Sequence, residues 1–439
     1  MGFQLKTVQF AHKCLKKLGR GGSFPGVLAL KMDPMFISKF KMPKHVILVT
    51  GTNGKTTTSN LLAQCIQETG LKVINNSKGD NLKYGIATLL ATNSNENYEV
   101  QADVAVIEVD ELTLYRQFKN LKPTMLVVNN FFRDQLDRAG EMENVIRKIM
   151  EVTKDFEGEL ILNGDDPNVL RLKDNAPKAK VHLFGVGEND VSLPISDEAS
   201  EGKFCPRCNR RLIYDYYQYS HIGKFRCPFD HYGEEKKDVF VSSIQYDQNT
   251  FKVGGVTYPM FMDTIYAVYN CAAVLCAMKS IHLDLNCAKN VFSTFELNTG
   301  RNETFMLNHE CTMNLIKNPT GANEVMKYII NKPFDKNIAI ILNDNDQDGT
   351  DVSWIWDTHF ERLKDPRVKT IICSGTRCYD MALRLKYEGL EDRIEVIEDI
   401  KDVVEKVDAL NEQAFIITTY TALFQTRNLL VKQASKHAS

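Results

Sequence analysis

The feature that most restricts this chain is the apolar run His45–Thr50 followed at once by Gly51-Thr52-Asn53-Gly54-Lys55-Thr56-Thr57. After the turn, Leu61, Leu62, Cys65 and Ile66 fall on one face at helical spacing. A buried strand that turns through glycines into a helix aims successive backbone N–H groups and the positive end of the helix at one point, which suits a chain of phosphates. Lys55 is placed to reach the β- and γ-phosphates of a nucleotide, and the Thr56 hydroxyl to ligate Mg²⁺. Gly51, Thr52, Asn53, Gly54 and Thr57 complete the loop. The general phosphate-loop pattern has a further glycine where this chain has Val49, so the loop is a narrower variant.

Short apolar runs of the same kind recur, each followed by turn residues and a helical pattern: Asp103–Glu108, Thr124–Asn129, Glu159–Asn163 and Val181–Phe184. That alternation predicts an α/β domain with a largely parallel sheet. A second series (Ile338–Leu342, Thr370–Cys373, Ile394–Ile397, Phe415–Thr418) predicts a second α/β unit. The domains expected are therefore an N-terminal helical segment over 1–44, a central domain over 45–298 and a C-terminal α/β domain over 299–439. In the first segment Lys13, Lys16, Lys17 and Arg20 alternate with Phe10, Cys14, Leu15 and Leu18, which predicts an amphipathic helix that packs on the body of the protein rather than one that lies on a membrane.

Composition narrows the partners. With 54 Lys+Arg against 56 Asp+Glu the net charge is -2, so no global field favours nucleic acid and any anion site is local. No run approaches the about 18 apolar residues of a membrane span, and Met1–Leu18 lacks the apolar core of a secretory signal, so a cytoplasmic protein is expected. Eleven cysteines, an odd number, argue against a disulfide framework.

Three of those cysteines cluster. Cys205-Pro-Arg-Cys208 is followed, 18 residues on, by Cys227-Pro-Phe-Asp230-His231, which is zinc-ribbon spacing. A structural Zn²⁺ would staple the Tyr-, Arg- and Lys-rich insertion at about 203–238, which has few large aliphatic residues of its own. Its fourth ligand is Asp230 or His231, since Zn²⁺ accepts either a carboxylate oxygen or an imidazole nitrogen.

The turn GTNGKTT resembles the ATP loop of the Mur ligase superfamily, which joins amino acids to peptidoglycan precursors or glutamate to folate. Further stretches agree in order: Val106-Ile107-Glu108-Val109-Asp110-Glu111, the segment 129–140 (NNFFRDQLDRAG), Leu162-Asn163-Gly164-Asp165-Asp166-Pro167, and Gly300-Arg301-Asn302-Glu303. The resemblance implies a central P-loop ATPase domain with a parallel sheet, interrupted by the ribbon, and a C-terminal Rossmann-like domain. It also implies that Glu108 holds Mg²⁺ and that Lys55, Glu108 and Arg301 act on the nucleotide. Three departures stand out: Gln135 replaces a Mg²⁺-binding histidine, Lys317-Asn318-Pro319 replaces HNP, and no lysine between Asp166 and Phe184 matches the one that Mur ligases carbamylate.

The cysteine ribbon narrows the resemblance to the synthetase subunits of lipid II isoglutaminyl synthase, the MurT family. Leu315–Asn323, Leu342–Asp357, Ser374–Arg377 and Thr419–Leu423 are similar to the same family, so the resemblance covers essentially the whole chain. It implies ATP-dependent amidation of the D-glutamate α-carboxylate of the lipid II stem peptide, with a location peripheral to the inner membrane face through the lipid-linked substrate. Ammonia would come from a glutaminase subunit of the GatD type, because Cys271 and Cys276 sit in an apolar helical pattern and His309 near Cys311 lacks the setting of a nucleophile. By motif position Asp351 is the acid that would complete the partner's Cys-His pair, with Asp348 second; capping of the following helix is the competing role for both. The rival functions are a folylpolyglutamate-synthase-like or amino-acid-adding ligase, and a non-catalytic nucleotide-binding scaffold.

Overall fold

The computed structural model describes residues 2–17, 22–77, 80–133, 142–196, 202–297 and 300–437. The chain forms two compact units, one holding the chain up to Phe132 and again from Met142 to Glu296, the other holding the chain from Leu297 on with Arg133. In the first unit the elements run α1 (Gly2–Lys17), α2 (Phe24–Met32), β1 (His45–Thr50), α3 (Lys55–Glu68), β2 (Val73–Asn75), α4 (Lys83–Thr92), β3 (Val104–Glu108), α5 (Glu111–Leu121), β4 (Met125–Val128), α6 (Met142–Thr153), β5 (Glu159–Asn163), α7 (Pro167–Asn175) and β6 (Lys180–Val186). A hairpin of β7 (Ile213–Tyr219) and β8 (Ile222–Arg226) follows, then β9 (Val239–Gln245), β10 (Thr250–Val253), β11 (Val256–Pro259), α8 (Ile265–Ser280) and α9 (Cys287–Thr294).

Among the described residues the sheet has the order β11-β10-β9-β6-β5-β4-β1-β3-β2, parallel from β2 to β9 with β10 and β11 added antiparallel. Helices cover both faces, which is why the central strands are unbroken apolar runs such as Val46–Val49 and Val104–Ile107, buried throughout. Strand β1 lies between β3 and β4, the point where the strand order reverses, and such a crevice at the carboxyl ends is where open α/β sheets bind ligands. Register brings the relevant ends level: Val49 is opposite Glu108 and Thr50 opposite Val128.

The first 44 residues are not a separate domain. Leu5 and Val8 of α1 and Ala29 of α2 are fully buried, and the Gly26 N–H donates to Thr88 Oγ1 of α4 at 2.9 Å. A Cβ on Gly26 would stand 1.8 Å from the Tyr84 carbonyl oxygen, so only glycine allows α2 to lie this close to α4. Phe36 and Phe40 close the junction edge-to-face on Tyr98, with ring centroids 5.9 and 5.2 Å away. The packing role read for the N-terminal helix agrees with this.

In the second unit β12 (Arg301–Met306) and β13 (Glu310–Leu315) form a hairpin, followed by α10 (Pro319–Asn331), β14 (Lys336–Ile341), β15 (Val368–Ser374), α11 (Cys378–Tyr387), β16 (Ile394–Val396), α12 (Ile400–Ala409), β17 (Gln413–Thr418) and α13 (Tyr420–His437). The sheet order is β12-β13-β17-β14-β15-β16, parallel except for the hairpin. Alternation on β14 sends Ile338 and Ile340 into a core with Met326, Ile329, Met381 and Leu385, and Ala339 and Ile341 into a second core with Val403, Val407, Leu423 and Leu430. The result is the Rossmann-like two-faced layer expected from the second series of apolar runs.

Candidate functional site

The phosphate loop joins β1 to α3. Gly51 (φ 125°) and Gly54 (φ 80°) take left-handed backbone, and Gly54 is also hemmed in, since a Cβ there would lie 2.5 Å from Asn270 Oδ1. The loop is held from the end of β4. The Thr52 N–H donates to the Asn130 carbonyl at 3.0 Å, the Asn53 N–H to Asn130 Oδ1 at 2.8 Å, and the Phe132 N–H to Thr52 Oγ1 at 2.9 Å. Behind it Asn129 Nδ2 donates to Thr58 Oγ1, which donates to Asn270 of α8. Lys55 is 8% exposed; its Nζ donates to the Gly51 carbonyl at 2.6 Å and pairs with Glu111 Oε1 at 3.0 Å. Thr56 and Thr57 are buried in the first turn of α3, where N–H groups without helical acceptors are free to meet an anion.

Glu108 ends β3 beside this loop and is 1% exposed. Its main chain is clamped by the Asn76 side chain, which accepts from the Glu108 N–H at 2.8 Å and donates to its carbonyl at 2.9 Å. Asn81 Nδ2 donates to Oε1 at 2.8 Å, while Oε2 is buried with no hydrogen-bond partner among the described residues. A carboxylate oxygen in that condition is costly unless a cation meets it, so the residues present fit a divalent ion with hard oxygen ligands. Asn76, Asn81, Asn270 and Glu111 were not among the residues singled out from spacing; Glu111 alone lay within a quoted motif.

The Asn163–Pro167 turn is structural support. Asp165 is buried under the Val186 N–H (2.7 Å) and the Tyr269 hydroxyl (2.8 Å), and burial raises its pKa. Asp166 caps α7 through the Asn168 and Val169 N–H groups, and its other oxygen accepts from the Phe131 N–H at 2.9 Å, next to the residue that holds Thr52. His221, at the β7–β8 turn, is buried against the same carboxylate at 3.3 Å and against the Phe132 ring at 4.9 Å.

The ribbon consists of two knuckles of one geometry. In Cys205–Arg210 the Asn209 N–H donates to the Cys205 carbonyl and the Cys205 N–H to Arg210; in Cys227–Tyr232 the His231 N–H donates to the Cys227 carbonyl and the Cys227 N–H to Tyr232. Asn209 and His231 both have positive φ, 57° and 59°. Asp230 therefore occupies the place of Cys208, and the ligand atoms of Cys205, Cys208, Cys227 and Asp230 all lie within 4.8 Å of one another. Four ligands around a tetrahedral zinc stand roughly 3.8 Å apart, so the set fits that ion. Burial pushes the Cys205 thiol up to about 12, while Asp230, although burial opposes its charge, is held down to about 2 by hydrogen bonds from Cys205, the Tyr232 N–H and the other two thiols. His231 is the turn residue, exposed and bonded to Glu234 at 2.9 Å, and the structure does not bring it to the cluster.

In the second unit Glu303 accepts from the Gly300 N–H and from Arg427, and Arg301 begins β12 with its Cα opposite Asn314. Asn318 caps α10 through the Gly321 N–H. Asp348 is buried and spent: one oxygen accepts from the Thr421 N–H at 2.7 Å, the other from the Thr421 hydroxyl and, at 3.3 Å, from the Asn345 N–H. Buried and bonded in this way, it is less available to a partner than Asp351. Asp351 is half-buried; one oxygen accepts from the Ser353 N–H at 2.8 Å, and hydrogen bonds from Ser353 lower its pKa. Cys271 and Cys276 are buried in α8 with their thiols pushed up by desolvation, and burial likewise lifts Cys311 to about 12 and lowers His309. Gln135 lies outside the described residues.

A nine-stranded sheet with a phosphate loop at its reversal point, followed by a smaller Rossmann-like unit, defines a Mur-ligase-type α/β protein. Residues 49–206 match the Mur ligase middle domain and residues 315–423 the MurT ligase C-terminal domain. The chain is 33% identical over 95% of both chains to the MurT subunit of the glutamine-hydrolyzing lipid II isoglutaminyl synthase of Staphylococcus aureus, and 31% identical over 96% of this chain and 95% of the other to that of Streptococcus pneumoniae. It belongs to the MurT family. Among solved structures it is similar to a pseudomurein peptide ligase type C from Methanothermus fervidus (TM-score 0.69, 20% identity, 90% of this chain and 80% of that one) and to MurF ligase of Thermotoga maritima in complex with ADP (0.61, 14%, 94% and 85%), which speaks for the fold.

Proposed function

We propose that this chain is the synthetase subunit of a lipid II isoglutaminyl synthase, converting the α-carboxylate of the stem-peptide D-glutamate to an amide with ATP and with ammonia from a GatD-type glutaminase. The observation that carries the reading is the pairing, on adjacent strand ends, of a phosphate loop bearing Lys55 with a buried carboxylate oxygen of Glu108 that has no hydrogen-bond partner among the described residues. A carboxylate is a poor acylating group because oxide would have to leave. Its oxygen attacks the γ-phosphorus, ADP departs, and the acyl phosphate so formed is attacked by ammonia at carbon; phosphate leaves with the C–O bonding pair, and the surplus proton goes to solvent.

Lys55 carries positive charge to the β/γ oxygens during transfer, and the loop amides and the start of α3 stabilise the same charge. To do so the ammonium exchanges Glu111 for phosphate, so Glu111 keeps the buried cation paired until a nucleotide enters. Mg²⁺, held by Thr56 and Glu108, would neutralise phosphate charge when bound. Arg301 is read, by the resemblance alone, as a further positive charge on the nucleotide. Asn76 and Asn81 fix the Glu108 carboxylate, and Asn130 and Thr52 fix the loop, so little reorganisation remains for the reacting state. A Zn²⁺ at Cys205, Cys208, Cys227 and Asp230 would be structural.

The thiols of the apolar helix and of β13 support an ammonia source outside this chain. Cys271, Cys276 and Cys311 are buried and protonated, unsuited to attack glutamine. Asp351, half-buried in the loop after β14, is the acid offered to orient the partner's histidine. The deciding experiment is amidation of lipid II by this chain with and without its glutaminase, supplied with ATP and either glutamine or ammonium. Amide formation that requires ATP and, for glutamine, the second subunit supports the reading; incorporation of an amino acid in place of ammonia refutes it in favour of a peptide or folylpolyglutamate ligase.

A further inference from the structure

The first 44 residues hold nine Lys and Arg against a single acid, Asp33, in a chain whose net charge is -2. Of these, Lys6 and Lys13 lie on α1, Lys31 on α2 and Lys39, Lys41 and Lys44 after α2, and the inner faces of the two helices are packed on α4. Outward, Lys6, Phe10 and Lys13 follow one another at helical spacing on α1, and Phe10 is 69% exposed. On α2, Phe24 (63%) and Met32 (46%) are exposed at either end, with Lys31 beside Met32. Lys6 meets Glu96 at 2.8 Å, Lys39 pairs with Asp33 and Lys41 with Glu99, whereas Lys13 and Lys31 have no acidic partner among the described residues. Protruding phenylalanines next to the unpaired Lys13 and Lys31 fit an interface that is apolar beneath and anionic above.

The same helix pair touches the catalytic end of the unit. Ser23, just before α2, donates to Asp80 Oδ1 at 3.2 Å, and Asp80 adjoins Asn81, which holds the Glu108 carboxylate. We infer that the outer face of α1 and α2 docks on an anionic lipid bilayer, through insertion of Phe10 and Phe24 and attraction of Lys13 and Lys31 to lipid phosphates, and so presents the Glu108 end of the sheet to a lipid-linked substrate. The inference rests on the proposed function for the choice of substrate, but not for the binding itself.

The test is sedimentation of the full chain with vesicles of phosphatidylglycerol mixed with phosphatidylcholine, and with vesicles of phosphatidylcholine alone. Binding to the first and not the second, released by salt, is expected. The double variant Lys13→Glu/Lys31→Glu should lower the partition coefficient by more than about tenfold, each lysine near an anionic surface contributing substantially. Phe10→Ser/Phe24→Ser should weaken it at unchanged charge. Absence of binding by the unaltered chain, or equal binding by the charge-reversed variant, overturns the proposal. Unchanged binding by the Phe variant also overturns it, reducing the effect to attraction for any polyanion. Both variants should keep full amidation of detergent-solubilised lipid II; a loss there would place the face in the chemistry instead. Failure of the unaltered chain to amidate lipid II would sink the functional reading and leave the vesicle result standing.

Discussion

At the carboxyl ends of β1 and β3 a carboxylate oxygen, Glu108 Oε2, is buried without a hydrogen-bond partner among the described residues, whereas at the ends of β14 and β17 both oxygens of Asp348 are taken by Thr421 and Asn345. Each place is the ligand-binding end of a parallel sheet, lined with Asn, Thr and Asp. In the first, the asparagines Asn76, Asn81 and Asn130 orient a loop and an acid but leave a cation-sized demand unmet. In the second, Asn343 and Asn345 donate to Thr421 at 3.0 and 2.9 Å and close the ring around Asp348. Asp351 lies beyond that ring, half-buried, with one oxygen accepting from the Ser353 N–H. The lesson is that a polar strand end is a reactive site when its hydrogen bonds do not balance, and a structural lock when they do.

The largest effect should come from Lys55→Ala, which removes the charge that the unbalanced end supplies. Turnover is expected to fall by roughly 10² to 10³ with the circular dichroism spectrum retained; a folded variant with near-normal amidation would break the contrast. Asp351→Asn should abolish glutamine-dependent amidation yet let ammonium restore activity, since the acyl-phosphate chemistry is untouched. A parallel loss of both activities would move Asp351 into this chain's own site.

Asp348→Ala sharpens the other side. It strands the Thr421 N–H and hydroxyl, so urea denaturation should show about 1–3 kcal/mol lost from the second unit, with ammonium-driven activity per folded molecule unchanged. At the ribbon, Asp230→Ala should lower zinc content by elemental analysis and reduce the melting temperature, Asp230→Cys should retain the metal, and His231→Ala should alter neither. Zinc lost on His231→Ala would reverse the ligand assignment.

The smallest effect concerns pH. Asp408 is buried, which alone would raise its pKa, but hydrogen bonds from Gln433, the Asn308 N–H and His437 lower it. Its stabilising contribution is therefore present above the unfolded value, about 3.9, and disappears as pH falls through the folded one. Asp408→Asn should flatten the acid limb of a stability curve, and a curve of unchanged steepness would remove that carboxylate from the balance.

Much of this was legible in the residues. His45–Thr50 and Glu159–Asn163 are strands over the residues expected, and the loop after Thr50 takes the conformation that its two glycines require. Strands buried on both faces must be short, apolar and bounded by turns, and a phosphate turn needs glycine where φ is positive, so both leave local marks. The three-residue β2 left none, and neither did the β9–β11 extension, whose exposed outer positions dilute the apolar pattern.

Local sequence determined most of the elements, the phosphate loop and the cysteine spacing, because each depends on neighbours within a few residues. Tertiary structure decided which polar groups are satisfied. It matched the two ribbon knuckles and so set Asp230, not His231, beside the three cysteines; it brought Glu111 to Lys55 and Asn81 to Glu108; and it locked Asp348 while leaving Asp351 half-buried. Hydrogen-bond balance is summed over groups brought together from distant parts of the chain, as Asn76 is to Glu108, and no local pattern records that sum.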